Sequence, residues 1–293
     1  MTPRNGHRST RPLTRLGAAL LCAGAAWSAQ ANCGSLRAEG AEPAALKQRV
    51  YAVDSDGALL RFNACQPGQV QRVGSISGLQ PADSRVVGID FRVQDGMLYA
   101  VGNGGGIYTL DLATAMATKA SQLSTALDGT QFGVDFNPAA NALRIVSNTG
   151  QNLRHPFANP EPRITLVDLP LNYTAGTTAQ GIVSSAYTNN DLDPNSATTL
   201  FNLDGTLGQV ALQVPPNNGS LAATGKLGVM PAGPVGFDIL AQGGSTLTRN
   251  NLALASMTVD GQAGLYRINL LTGQAKLIGA LGRPVSDIAI TLD

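Results

Sequence analysis

The chain has 293 residues, of which 43% are hydrophobic and 13% charged, with 34 glycines, 16 prolines and a formal net charge of +1. So low a charged fraction excludes an array of long surface helices, which need Glu, Lys and Arg on their wet faces, and the apolar content excludes a disordered chain. Small, dispersed charge leaves no electrostatic footprint for nucleic acid, so polyanions are not expected as partners.

In chain order, the first feature is a targeting segment. Arg4, Arg8, Arg11 and Arg15 are its only charged residues, and the apolar run Leu16 to Trp27 that follows is too short to span a bilayer. Ala29-Gln30-Ala31 reads as a cleavage signal, so residues 1–31 are expected to be a signal peptide, with no transmembrane anchor and a periplasmic or extracellular destination. The mature chain then starts at Asn32 with a net charge of about −3. Leu21 and Asn32, which precede Cys22 and Cys33, are not the small residues that lipidation requires.

Cys22 leaves with the signal, and Cys33 and Cys65 remain as an even pair in a compartment that permits disulfides. The expected bridge ties the polar linker 32–48 to the first repeat, and closing about 30 residues stabilises by roughly 3 to 4 kcal/mol. The alternative is two free thiols, but a Cys pair without neighbouring His or further Cys fits no zinc pattern.

From residue 49 to 293 the chain repeats a phrase about every 50 residues. Arg49 to Val53, Leu59 to Asn63 and Val70 to Ile76 are three strands without a leading Gly-x-Asp-Phe strand. A full copy follows: Val87 to Phe91, Met97 to Val101, Ile107 to Leu112 and Thr118 to Leu123, with Gly102 to Gly106 as a hairpin turn. The third copy has Gly133 to Phe136, Leu143 to Ser147 and a return near Ile164 to Asp168. The fourth has Ile182 to Tyr187, Thr199 to Leu203, Gln209 to Val214 and Leu221 to Leu227. The fifth has Val235 to Ile239, Leu252 to Val259, Leu265 to Asn269 and Ala275 to Ile278, and Val285 to Thr291 is a lone final strand.

Joining that last strand to the first three completes a blade and closes a ring without exposed sheet edges. The expected fold is therefore an all-β propeller of five four-stranded blades; six would follow if the long fourth or fifth repeat held another. Asp90, Asp135, Ala186, Asp238 and Asp287 mark the leading strands, at spacings of 45, 51, 52 and 49 residues.

Gly133 to Pro138, Val146 to Arg154 (Val-Ser-Asn-Thr-Gly-Gln-Asn-Leu-Arg), Ala186 to Asn190 (Ala-Tyr-Thr-Asn-Asn) and Pro215 to Gly219 (Pro-Pro-Asn-Asn-Gly) resemble, in this order, a bacterial exported family known as domain-of-unknown-function family 4394. The resemblance runs from about residue 50 to the C-terminus. It implies an exported, propeller-like protein with no assigned activity, cofactor or partner.

Asp90, Asp135, Asp238 and Asp287 form the most regular polar set, and the leading strand of a blade lines the channel. Carboxylates gathered on one axis repel unless hydrogen bonds, separation or a cation relieves them. They either pin their strands through backbone N–H bonds or hold Ca²⁺, the one cofactor the sequence suggests. Asp54-Ser55-Asp56-Gly57 lacks the later ligands of an EF-hand loop and reads as a hairpin turn.

His155 is the one histidine of the mature chain and reads as a loop residue. The Asn-rich turns suggest a binding rim of Asn148, Asn152, Arg154, Tyr187, Asn189, Asn190, Asn217 and Asn218, provided they share one end of the ring. No catalytic residue is assigned. The expected function is a non-catalytic, monomeric scaffold for a protein, glycan or small ligand. The alternatives are a metal-dependent propeller hydrolase or lyase that uses the Asp set, and a structural envelope-associated protein.

Overall fold

Alternating apolar residues with a Gly or Asx turn every five to ten positions give short antiparallel strands that meander outward from the ring axis. The computed structural model describes residues 1–2, 48–158, 160–193, 195–242 and 250–292. The expected signal peptide, most of the linker and Cys33 lie outside the described residues.

Five four-stranded sheets form the ring. The first blade contains β1 (Arg49–Val53), β2 (Ala58–Asn63) and β3 (Gln66–Ser75), with β20 (Asp287–Ile290) as its innermost strand. The second contains β4 (Val86–Arg92), β5 (Met97–Gly102), β6 (Gly106–Leu110) and β7 (Ala117–Gln122). The third runs β8 (Phe132–Asn137), β9 (Ala142–Ser147), β10 (Asn152–Pro156) and β11 (Leu166–Val167). The fourth has β12 (Ile182–Tyr187), β13 (Leu200–Asp204), β14 (Gln209–Gln213) and β15 (Leu221–Lys226). The fifth has β16 (Ala232–Gln242), β17 (Asn250–Val259), β18 (Gln262–Ile268) and β19 (Ala275–Ala280).

Ring closure follows the expected route, with β20 antiparallel to β1 and Tyr51 opposite Ala289. Polar clasps reinforce it. Gln48 donates to the Thr291 carbonyl, and Arg283 reaches the buried Asp54 carboxylate at 2.7 Å. Asp54 also accepts the backbone N–H groups of Asp56 and Ala58, so it shapes the hairpin turn.

The turns repeat as the strands do. Asp111 accepts the N–H groups of Ala113 and Thr114, and Asn269 those of Leu271 and Thr272, at matching places in the second and fifth blades. The Gly102 to Gly106 turn wraps the buried Asp83, whose carboxylate takes the Gly104 N–H and the Tyr108 hydroxyl.

One strand departs from expectation. Asn152–Pro156 is β10, paired along its length with β9, where the sequence suggests a turn and loop. Its polar residues are buried by partners distant in sequence, so they imitate an exposed segment.

Each seam between blades holds its own apolar core. Tyr51, Leu59 and Phe91 belong to the first-to-second seam, Val101, Phe136 and Ile145 to the next, Leu203, Phe237 and Ala255 to the fourth-to-fifth, and Leu60, Leu254 and Ile288 to the last. The apolar cluster of the seam between the third and fourth blades is small, comprising Val146, Leu171, Ala179, Ile182, Ala211 and Leu221 with Tyr173 packed against it. Polar side chains fill the remainder.

Candidate functional site

The innermost strands β20, β4, β8, β12 and β16 follow one another around the axis. They approach closely enough that a Cβ at Gly133 would lie 2.3 Å from the Ser185 nitrogen, and one at Gly236 would lie 2.7 Å from the Ile288 nitrogen. Glycine at these two positions is therefore a packing requirement.

Register corrects the sequence alignment of the last strand. Asp90 pairs with Tyr99 and Ala289 with Tyr51, and both tyrosines open a Tyr-Ala-Val phrase. Ala289, not Asp287, is thus the first blade's counterpart of Asp90. The axis carries one layer of Asp90, Asp135, Ala186, Asp238 and Ala289, and a neighbouring layer of Gly88, Gly133, Ser184, Gly236 and Asp287.

Each carboxylate staples its strand to the next blade. Asp90 accepts the Phe136 N–H at 2.7 Å, Asp135 the Tyr187 N–H at 3.0 Å, Asp238 the Ile290 N–H at 2.6 Å and Asp287 the Ile89 N–H at 2.8 Å. At Ala186 the step from the fourth to the fifth blade has no such carboxylate. One oxygen each of Asp90, Asp135 and Asp238 lies within 4.8 Å of the others. Asp287 stands apart from this trio, in the adjacent layer.

Burial dominates their electrostatics. Loss of water pushes the Asp90 and Asp135 carboxyls well above the ordinary range, and Asp238 adds repulsion at both. Burial likewise raises Asp287, and it lifts Asp238 to about 6 against two backbone N–H bonds. On β12 the hydroxyls of Ser184 and Ser185 are buried with no hydrogen-bond partner.

The residues of the expected rim separate. In a meandering blade, the turn after the first strand and the turn after the second emerge at opposite ends. Asn189 and Asn190 sit on the former in the fourth blade, and Asn148 on the latter in the third. Asn148 accepts the Thr130 and Gln131 N–H groups and shapes its turn. Asn190 accepts the Ala241 N–H, and Asn189 exchanges bonds with Asn251. Asn218 lies on an exposed 3₁₀ turn beside Asn217.

Asn152, Arg154, Tyr187 and Asn217 meet elsewhere, around a residue that sequence reasoning passes over. Arg144, 2% exposed, donates to Asn152 at 2.8 Å, Asp168 at 2.7 Å, Asn217 at 2.8 Å and the Tyr187 hydroxyl at 3.3 Å. Arg154 reaches the same Asp168 carboxylate from the other side at 3.0 Å. Burial pushes Asp168 up, but the Arg154 and Arg144 bonds outweigh it and its pKa falls. Asn152 and Tyr187 are buried, so they belong to the polar filling of the seam and not to a rim.

His155 is also buried, in β10, and not in a surface loop. Its ring nitrogens meet the Ser121 hydroxyl at 2.9 Å and the Thr165 hydroxyl at 3.0 Å, and burial lowers its pKa to about 4. Ser121 donates to Glu161. A hydroxyl where a triad has its orienting carboxylate, and a base that weak, make a poor nucleophile-activating pair.

The fourth-to-fifth seam opens at its surface into a cleft of about 820 Å³. Thr188, Asn189, Asn251, Arg267, Gln274 and Lys276 supply its polar lining, and Phe201 and Leu271 its apolar part.

The sequence profile described as "Domain of unknown function (DUF4394)" matches residues 58–289. The chain belongs to the DUF4394 family. None of the curated proteins compared matches it. Among solved structures, an auxiliary nutrient binding protein from Bacteroides ovatus is 15% identical over 61% of this chain, with a TM-score of 0.40. The DUF4394 chain spans only 44% of that protein's length. A chain of a nidogen/laminin complex is 11% identical over 84% of this chain and 98% of its own, with a TM-score of 0.46. A protein of unknown function from Bacteroides thetaiotaomicron is 12% identical over 80% and 55%, with a TM-score of 0.45. Scores this low carry no inference about function.

Within this DUF4394 domain the polar features fall into three places: the axis, the third-to-fourth seam and the fourth-to-fifth cleft. The repeat phrase marks the first. Arg144 carries one signal, since it replaces the tyrosine of Tyr51 and Tyr99 in its strand. The cleft draws on β13, β17, β18, β19 and neighbouring turns, and has no local signature.

Proposed function

We propose that this DUF4394 propeller is an exported, non-catalytic, monomeric binding scaffold, and that the fourth-to-fifth cleft takes a small polar ligand bearing an anionic group. One observation carries the reading. At about 820 Å³ the cleft has the size of a small-molecule site, and its described lining combines amides and hydroxyls with the cationic side chains of Arg267 and Lys276. Amides orient a ligand through paired donors and acceptors, and the cations favour a carboxylate or phosphate. Among the described residues no helix is long and apolar enough to cross a membrane. The arginine-rich leader supports export, and a Cys33–Cys65 bridge belongs to the same proposal.

The test is a calorimetric panel on the mature chain with uronic acids, the corresponding neutral sugars and acidic dipeptides. Binding of an acidic member, weakened at least tenfold by Lys276→Glu and by Asn251→Ala, is expected. A panel with no binder tighter than millimolar, or one whose binding ignores both substitutions, removes the cleft as the site.

A further inference from the structure

The first blade carries a further polar arrangement, apart from the axis, the third-to-fourth seam and the cleft. Strand register builds it. Arg49 on β1 and Gln66 on β3 both lie opposite Asn63 on β2, and Gln71 on β3 lies opposite Arg61. Residues directly opposite share a face of a sheet, as do residues two apart in one strand, so Arg49, Arg61, Asn63, Gln66, Gln69 and Gln71 stand on one face. They line a hollow of about 240 Å³. Phe62, between Arg61 and Asn63, points the other way into the fifth-to-first apolar core and so fixes β2 beneath the hollow.

Two guanidiniums stand here without an acid. Elsewhere Arg92 meets Asp95, Arg144 and Arg154 meet Asp168, Arg163 meets Glu161 and Arg283 meets Asp54. Among the described residues, no carboxylate lines the hollow. With 20 Lys and Arg against 19 Asp and Glu the chain is nearly balanced, yet this face holds two cations uncompensated. Like charges on neighbouring strands repel, and an anion between them removes that cost.

The geometry suits one shared anion. Arg49 and Arg61 are diagonal neighbours across β1 and β2, a relation that spans about 7 to 8 Å and lies within reach of long side chains. The Arg61 Nε donates to the Gln71 side-chain oxygen at 3.1 Å, which orients the guanidinium and leaves both Nη groups for a bidentate acceptor. A carboxylate offers two oxygens, enough for one fork, whereas the tetrahedral oxyanion of a phosphate or sulfate ester offers three and can meet both. The hollow is several times the roughly 30 Å³ of a water molecule, so it has room for more than the oxyanion. Carboxamides both donate and accept, as sugar hydroxyls require.

We propose that this face of the first blade binds a phosphate or sulfate group between Arg49 and Arg61, carried by a sugar whose hydroxyls meet the Asn63, Gln66 and Gln69 amides. The site is distinct from the fourth-to-fifth cleft and does not depend on it.

The test is calorimetry on the mature chain at low ionic strength with glucose 6-phosphate, glucose 6-sulfate, inorganic phosphate and glucose. Submillimolar binding of an ester is expected, weaker binding of inorganic phosphate and none of glucose, with affinity falling as NaCl is added. Arg61→Ala and Arg49→Ala should each weaken the ester at least tenfold. Arg61→Lys keeps the charge but loses the fork, so it should weaken the ester severalfold. Lys276→Glu, in the cleft, should leave this binding unchanged. Arg49 is exposed and Arg61 half-buried, so these variants should melt like the parent chain. Inorganic phosphate bound more tightly than either ester would keep the oxyanion site and assign it to the free ion. No binding of any of the three anions at millimolar concentration, equal binding of glucose, or affinity indifferent to both alanine variants overturns the proposal.

Discussion

The carboxylate of Asp168 in the third-to-fourth seam, 7% exposed, and those of Asp90 and Asp135, buried on the axis, are all largely withdrawn from water, yet their acidities move in opposite directions. Asp168 lies between two guanidiniums, and their hydrogen bonds outweigh its loss of water. The axial carboxylates lose water and face one another, and backbone N–H groups are their donors. Burial alone therefore does not fix the state of an acid in this ring. The sign of the nearest charge decides it, and each region can be tested against the other.

The largest effect is expected at Arg144. Arg144→Met leaves Asp168 and two amides facing an apolar side chain, and urea unfolding should show a loss of about 3 to 5 kcal/mol. Asp168→Asn and Asp135→Asn sharpen the contrast. The first breaks a charge pair that Arg144 needs, and should cost about 2 to 3 kcal/mol. The second keeps an oxygen for the Tyr187 N–H while removing one of several like charges, so in EDTA it should cost nothing or stabilise by up to about 1 kcal/mol. Equal losses in both variants would mean that the axis is neutralised in a way the seam is not.

A smaller effect is expected from pH. Folded-state values of Asp90, Asp135, Asp238 and Asp287 lie above the ordinary 3.8, so the folded protein binds their protons more tightly than the unfolded chain. Their contribution to stability is full below pH 3.8 and is lost as pH rises, through about 6 in the case of Asp238. His155 has the opposite sign. Its folded value of about 4 lies below the ordinary 6.5, so its contribution is present above pH 6.5 and is lost as pH falls towards 4. Melting in EDTA from pH 4 to 8 should therefore fall less steeply on the alkaline side for Asp238→Asn than for the parent chain, and His155→Gln should flatten the acid side.

The sequence exposes what repeats and conceals what does not. Three Gly-x-Asp leading strands and the looser Ser184-Ser185-Ala186 strand, their apolar alternation and a lone final strand led directly to five blades and to closure through β20. The register of that final strand was lost because Ser286-Asp287-Ile288-Ala289 lacks the Gly-x-Asp phrase. The matching tyrosines of β1 and β5 carry the correct alignment, but only once pairing is known. β10 stayed hidden because Asn152, Arg154 and His155 look like solvent-facing groups. Each is buried or half-buried by a partner at least 14 residues or more away, such as Asp168 or Ser121, apart from the nearer Arg144 and Thr165. The cleft was invisible for a related reason: its lining comes from two blades and reads locally as ordinary turn residues.

The pairing of β20 with β1 also sets an order of assembly. Every other blade is contiguous in the chain, so its hairpins can form as soon as their own residues are available. The first blade must wait for a strand some 235 residues further on, and closing so long a loop carries a large entropic cost before any contact rewards it. Until that strand docks, β1 presents a free inner edge and β16 an unmet neighbour, so the ring would pass through an open horseshoe whose two ends are its most adhesive surfaces. Two such horseshoes could satisfy each other by exchanging β20, which makes this closing strand the element by which the fold is completed or by which two chains become entangled.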